Sequence, residues 1–231
     1  MYPVVILAGG KATRIKKITR TTPKSLIKIN NKPFIDYQLD YLKNNGIKKI
    51  IFCLGHKGKI IKKYLEKKNN HNIEFIYSFD GRYALGTGGA VRKAINTKEN
   101  FFFIMYGDSY LRADLKNVKK KFDKSKKLAL MTVIKNENKW DKSNVELKNN
   151  TIVNYDKFQY NYNMNYVDYG LSIISKKSII GYKKQKFDLA DFLSYLSKNC
   201  KIVPYIPKKR FFEIGSFKGI KDFKKYISIS G

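Results

Sequence analysis

Two glycines, an arginine and a lysine near the start of the chain have the types and spacing of a phosphate grip. Leu7-Ala8-Gly9-Gly10-Lys11-Ala12-Thr13-Arg14 follows a short apolar run, and Thr22-Pro23-Lys24 comes soon after. Paired glycines let a backbone pass close to a ligand, and their free N–H groups can cradle phosphate oxygens. Arg14 and Lys24 add fixed positive charge. No Gly-Lys-Ser/Thr closes the loop, so it is not a Walker A motif. A second glycine segment, Leu85-Gly86-Thr87-Gly88-Gly89-Ala90, lies further on. Tyr106-Gly107-Asp108 ends an apolar run, where Asp108 could hold a hard cation or simply cap a strand end. The two histidines, His56 and His71, fall outside all these motifs and are read as surface or loop residues, not as a general base. Cys53 sits in an apolar run and reads as a buried thiol; neither it nor Cys200 belongs to a CxxC pair.

These groups need strands and helices to aim them. Pro3 to Leu7, Lys49 to Leu54, Ile73 to Ser78 and Phe101 to Met105 have the composition of strands. Between them, helical patterns begin after Pro33, run over Ile60 to Leu65, and follow the glycines after Leu85. Such alternation predicts an α/β fold, with a mixed, mainly parallel Rossmann-like sheet flanked by helices. In such sheets ligands bind at the carboxyl ends of the strands, where Gly9-Gly10 and Gly107-Asp108 both fall. The second half is less regular. Leu128 to Ile134 and Tyr166 to Ile174 read as strands, and a hairpin turns at Asn149-Asn150. Leu189 to Leu196 and Ile220 to Tyr226 read as helices. The polar, aromatic residues 156–166 read as a loop or lid. One domain spans 1–231, with a nucleotide-binding part to about residue 125 and a small β-rich acceptor-binding and lid part from about 126.

The chain has 231 residues and a formal net charge of +30. Most of the excess is lysine, spread along the whole chain and accompanied by much Asn and Ile. That trio is what an AT-rich genome encodes, so the charge reads as compositional and no nucleic-acid partner is expected; polyanion binding is the lesser reading. A basic surface still attracts a triphosphate. No apolar stretch approaches the roughly 20 residues of a membrane span. No signal-peptide pattern opens the chain, and a cytoplasmic location is expected.

The glycine segment and Pro23-Lys24 resemble the signature of the sugar-phosphate nucleotidylyltransferases. Asn31 to Tyr37, Leu85 to Ala90, Tyr106-Gly107-Asp108, Tyr155-Asp156-Lys157 and Phe212-Glu213-Ile214-Gly215 resemble further motifs of that family. The resemblance implies that Arg14 grips the leaving pyrophosphate and Lys24 neutralises the reacting phosphates. Residues Leu7 to Thr13, with Gly86, Thr87 and Gly88, would bind the nucleotide. Lys157 would hold the acceptor phosphate, and Asp168 and Gly170 the acceptor sugar. Asp108 and Glu213 would bind Mg²⁺, and Asp108 would join Arg14 and Lys24 as the catalytic group. The implied reaction joins a nucleoside triphosphate to a sugar 1-phosphate, with GTP first and CTP, UTP or dTTP as options. A phosphocholine-like acceptor and a non-catalytic nucleotide-binding relative are the alternatives. The resemblance is nearest to short forms such as the heptose-1-phosphate guanylyltransferases and N-acetylmuramate-1-phosphate uridylyltransferases, without a carboxy-terminal β-helix, and is compatible with a homodimer. There are two departures. Ala12 replaces a third glycine, tolerable if its φ is negative, and Glu213 replaces an aspartate, one methylene shorter.

Overall fold

The computed structural model describes residues 1–230 except 11, 16–18, 69–71, 82, 137–138 and 141. In chain order the elements begin with β1 (Val4–Leu7), the two-residue strands β2 (Lys28–Ile29) and β3 (Lys32–Pro33), and helix α1 (Phe34–Asn44). Then come β4 (Lys49–Leu54), α2 (Gly58–Glu66), β5 (Glu74–Phe79), α3 (Gly86–Ala94), β6 (Phe101–Tyr106), β7 (Ser109–Tyr110), α4 (Leu115–Ser125) and β8 (Ala129–Lys135). The rest is β9 (Val145–Lys148), β10 (Thr151–Tyr155), β11 (Tyr166–Ser175), α5 (Lys176–Ile180), α6 (Leu189–Lys198), β12 (Ile202–Tyr205), β13 (Phe212–Glu213) and α7 (Phe217–Ser230).

Strand β1 is a run of Val and Ile buried on both faces, as a central parallel strand requires. It lies between β4 and β6, both parallel to it, and β5 extends the sheet beyond β4. Beyond β6 the direction reverses. Strand β11 runs antiparallel to β6, and its other edge carries β8 and the start of β9. The sheet is therefore parallel at its centre and mixed at one side, in agreement with the α/β expectation. Helices α1, α2 and α4 cover one face through Leu39, Leu42, Ile61, Leu65 and Val118. Helices α3 and α6 cover the other through Val91, Ala94, Phe192 and Leu196. A third cluster, built on Phe34, Ile214 and Phe223, docks α7 beside the signature loop. Among the described residues no helix is long and apolar enough to cross a membrane.

Helix α4 was not visible in the sequence pattern. Leu115, Val118 and Phe122 form its buried stripe. Asp114 caps it, accepting from the N–H of Lys116 at 2.8 Å and of Asn117 at 3.3 Å. The glycines after Leu85 also differ from expectation. They form the first turn of α3 rather than a loop before it. The N–H groups of Gly88 and Gly89 donate to the Phe187 carbonyl, at 3.0 and 3.2 Å, and this anchors the turn to the loop before α6.

A Cβ on Gly88 would overlap the Phe187 ring. That ring cannot swing away, because it is 3% exposed and packs against Tyr182 at 4.8 Å and under the Arg92 guanidinium at 5.0 Å. Overpacking of this kind costs about 1–3 kcal/mol. Gly88→Ala should therefore lower the thermal midpoint by roughly 2–12 °C, at about 2–4 °C per kcal/mol for a chain of this size. An unchanged midpoint in a calorimetric scan would show that α3 and the 187 loop are not rigidly joined.

Candidate active site

The carboxyl ends of β1, β4, β5 and β6 open into one cavity of about 310 Å³. Leu7, Ala8, Gly9, Gly10 and Ala12 line it from the first loop, and Lys24 from the short 3₁₀ turn that follows Pro23. Gly86 and Thr87 line it from the start of α3, and Asp108 from the turn after β6. A second cavity of about 530 Å³ adjoins it, lined by Arg14, Asp108, Lys157, Asp168, Gly170 and Glu213 among others. Tyr106 and Asp108 line both. Two substrates bound side by side would meet there.

The two lysines of the site are already paired with carboxylates. The Lys24 ammonium lies 2.8 Å from Asp108 Oδ2, with both side chains mostly shielded. Arg14, Asp108 and Glu213 converge on Gly215. A Cβ at Gly215 would lie 2.9 Å from Arg14 Nη2, 2.8 Å from Glu213 Oε2 and 3.2 Å from Asp108 Oδ2. The Glu213 carboxylate accepts from the Gly215 N–H and from the Ser216 hydroxyl. Two carboxylates facing one small space suit a hard divalent cation, which would draw its remaining oxygens from phosphates and water. Among the described residues there is no cluster of three or more His, Cys, Asp or Glu that could hold a metal alone. Asp108 and Glu213 thus fit a metal shared with a phosphorylated ligand.

Lys157 reaches the second cavity from the loop after β10. Its ammonium donates to the Tyr106 hydroxyl at 3.0 Å and stands 3.7 Å from Asp168 Oδ2. Burial works against its charge, but Tyr106, Asp168 and Asp108 outweigh burial and hold its pKa above the ordinary lysine value. Lys157 is therefore a permanent cation at neutral pH. Asp168 has further partners. Its Oδ2 accepts from Tyr155 at 2.9 Å and its Oδ1 from the Gly170 N–H at 2.8 Å. The structure thus ties Asp168 and Gly170 to each other and to Lys157, where the resemblance pointed to an acceptor sugar.

Not every candidate reaches a cavity. Thr13 is exposed in a short 3₁₀ turn, and the Gly88 N–H is used by Phe187. Lys11 and His71 lie outside the described residues. His56 is exposed, as expected, but it borders the first cavity, its N–H donating to the Gly9 carbonyl at 3.2 Å. Burial pushes the Cys53 thiol up to about 12, so it is no nucleophile at neutral pH. Sequence reading missed Asp80, at the end of β5 in the first cavity, and Arg210 in the second. It also missed Lys57, whose ammonium donates to the carbonyls of Thr19 and Arg20 and ties down the signature loop.

The sequence model of the Nucleotidyl transferase family matches residues 3–144, more than half of the chain. The chain belongs to this family. A D-glycero-alpha-D-manno-heptose 1-phosphate guanylyltransferase of Campylobacter jejuni is 28% identical over 212 residues, covering 91% of this chain and 93% of that protein. An Aneurinibacillus thermoaerophilus protein of the same description is 36% identical over 115 residues, 49% of each chain. Among solved structures, HddC from Yersinia pseudotuberculosis superposes with a TM-score of 0.81 at 26% identity, covering 98% of this chain and 100% of that one.

Nucleotidyl transfer asks little covalent chemistry of the protein. A phosphate oxygen of the acceptor attacks the α-phosphorus in line, the bond to the leaving pyrophosphate breaks, and no protein nucleophile intervenes. An ionised phosphate needs no general base. Positioning and charge compensation remain, and fixed cations set around the cavities can supply both.

The Ala12 expectation is overturned. Its φ is +53°, in the left-handed region, because the chain must turn there for the Ala12 carbonyl to accept from the Ile15 N–H at 3.3 Å. Alanine is disfavoured in that region by about 1–2 kcal/mol, whereas glycine is not. After the extra freedom glycine gives the unfolded chain, about 0.4–1 kcal/mol, Ala12→Gly should still stabilise the enzyme by about 0.5–1 kcal/mol. Denaturant unfolding measures it, and a lower midpoint for Ala12→Gly would contradict the strained turn.

Proposed function

We propose that the enzyme joins a nucleoside triphosphate to a sugar 1-phosphate, giving an NDP-sugar for cell-surface polysaccharide synthesis and releasing pyrophosphate, with Mg²⁺ as the metal. The observation that carries this reading is the meeting of two cavities at Asp108, one glycine-lined and one lined by Lys157 and polar groups. In this reading Lys24 takes the triphosphate from the first cavity, Arg14 meets its leaving pyrophosphate from the second, where both cavities border Asp108, and Lys157 takes the acceptor phosphate. When bound, Mg²⁺ on Asp108 and Glu213 offsets negative charge on the phosphates. The guanylyltransferase relatives support a sugar phosphate as acceptor.

The acceptor cavity speaks against a phosphocholine-like substrate. A quaternary ammonium needs open aromatic faces. Here the Arg210 guanidinium already lies over Trp140, at 5.4 Å, and over Phe212, at 4.6 Å. Those two aromatic faces are occupied, and a guanidinium lines the ligand space instead.

Asp80 favours guanine as the base. Its Oδ2 lies against the Gly55 and Gly9 backbone, at the end of the cavity formed by β4 and β5. Burial lifts its pKa above the ordinary aspartate value, with nearby Lys93 opposing. A carboxylate offers two acceptors and no donor. Guanine presents two adjacent donors, N1–H and the 2-amino group, whereas adenine, cytosine, uracil and thymine present none in that arrangement. HddC has also been crystallised with GMP-PN.

Purified enzyme should release pyrophosphate from GTP and a sugar 1-phosphate in the presence of Mg²⁺, with CTP, UTP and dTTP slower. A panel of sugar 1-phosphates identifies the acceptor. EDTA should abolish turnover and excess Mg²⁺ restore it; turnover that persists in EDTA would remove the metal from the reading. Asp80→Asn replaces one acceptor by a donor. Hydrogen bonds to a charged group are worth about 1.5–3 kcal/mol, so kcat/KM for GTP should fall roughly 10- to 150-fold while that for UTP changes little. An equal fall for every triphosphate would place Asp80 in the scaffold rather than against the base.

A further inference from the structure

Helix α1 carries a polar residue where its pattern calls for an apolar one. Ile35, Leu39 and Leu42 pack toward the sheet, and Gln38 stands among them with no exposure at all. A buried amide in an apolar helix face is costly unless its hydrogen bonds are made. Gln38 makes two of them with one nitrogen. Nε2 donates to the Tyr106 carbonyl at 3.0 Å and to the Ser109 carbonyl at 2.8 Å. Its Oε1 has no hydrogen-bond partner. Half of its polar capacity is unmet, so packing alone does not account for a glutamine here.

The two carbonyls bracket Gly107 and Asp108. Tyr106 ends β6 and Ser109 begins β7, so one side chain grips both ends of the turn that presents the Asp108 carboxylate. The same turn is tied outward. Ser109 pairs with Glu213 between β7 and β13, and the Ile214 N–H donates to the Asp108 carbonyl at 2.9 Å. The Tyr106 side chain receives Lys157. One buried amide therefore fixes the turn from which Asp108, the strand carrying Glu213 and the partner of Lys157 all take their positions.

We propose that Gln38 is a positioning residue of the active site, whose buried amide pins the two ends of the Tyr106–Ser109 turn and so sets the placement of Asp108 relative to Glu213. It touches neither substrate nor metal. Its removal leaves two carbonyls without their donor and frees the turn, and the two carboxylates lose their fixed spacing. This inference rests on the reading of Asp108 and Glu213 as the metal pair. The test therefore includes binding as well as turnover.

The test compares the wild type with Gln38→Met, which keeps length and removes the donor, and with Gln38→Glu, which keeps shape and cannot donate when ionised. Leu42→Val, on the same buried face of α1, is the control for plain destabilisation. Mn²⁺ serves as the probe, its binding followed by electron paramagnetic resonance in the presence of a non-hydrolysable GTP analogue. In both Gln38 variants Mn²⁺ binding should weaken about tenfold or more. The kcat for pyrophosphate release should drop by a similar factor, with KM for GTP nearly unchanged. Leu42→Val should lower the thermal midpoint and leave Mn²⁺ binding and kcat within twofold of wild type. If Gln38→Met does not fold, Gln38→Glu carries the test. Gln38 variants that lose stability but bind Mn²⁺ as the wild type does overturn the proposal. A wild type that binds Mn²⁺ with the analogue yet turns over no triphosphate would refute the proposed reaction and leave the Gln38 comparison to be judged on binding.

Discussion

Everything at this site depends on how closely three backbone segments approach one another at the end of β1. Leu7 is in register with Cys53 on one side and Tyr106 on the other, so the loops after β1, β4 and β6 all start at one level. The Ala8 N–H donates to the Cys53 carbonyl and the Gly107 N–H to the Leu7 carbonyl, both at 2.9 Å, which carries the pairing one residue past the strand ends. Such contact leaves no room for side chains. A Cβ on Gly9 would lie 3.0 Å from the Gly55 nitrogen, one on Gly55 2.9 Å from the Gly9 carbonyl, and one on Gly107 2.9 Å from the Leu7 carbonyl. Glycine at each position lets the loops touch, and their contact places Lys24, Asp80 and Asp108 around one cavity.

Part of the charge at the two cavities is compensated before any ligand arrives. Lys24 holds Asp108, Lys157 is held by Tyr106 and Asp168, and Arg14 shares the space at Gly215 with two carboxylates. Partly exposed pairs of this kind add little stability, because solvent screens them and side-chain entropy opposes them. Their consequence lies in geometry. An unpaired lysine would sample many rotamers, and ordering it would be charged to binding. Paired lysines are already ordered, and under the proposed reaction a phosphate or a metal exchanges one partner for another of like sign. That is the preorganisation that makes electrostatic catalysis effective.

The glycine motifs, the parallel centre of the sheet and the strand-end position of Asp108 were legible in the sequence because each follows from a local requirement. Runs of Val and Ile can only be buried strands here, and paired glycines after a strand mark a close approach. What was not legible depends on tertiary contact. Helix α4 was hidden because its three apolar residues stand among lysines, so the stripe is narrow and its burial comes from the sheet beneath. Asp80 belongs to none of the motifs, although the rule that ligands gather at the carboxyl ends of parallel strands applies to it as well. Gln38 did leave a signal, a polar residue on an apolar helix face, but its meaning required the two carbonyls brought from the β6–β7 turn. The φ of Ala12 contradicts its residue type, and only the loop geometry reveals it.

Glu213 shows how a departure from a family pattern is absorbed by its neighbours. Both oxygens of the carboxylate, one methylene longer than aspartate, find donors at the start of α7, in the Gly215 N–H and the Ser216 hydroxyl. Those donors lie at the positive end of a helix of 14 residues, where a carboxylate is favoured. The longer side chain then needs room that most residues would deny it. A Cβ on Gly219 would overlap Glu213 Oε1, and one on Gly215 would lie within 3.2 Å of three charged side chains. Glu213 and Gly219 are therefore one adjustment rather than two. Ser216 belongs with them, because its hydroxyl accepts from the Gly219 N–H at 2.9 Å while donating to Glu213. The carboxylate stays next to Arg14 and Asp108 because the helix behind it holds it there, and a bound cation would compete with the helix end for the same oxygens.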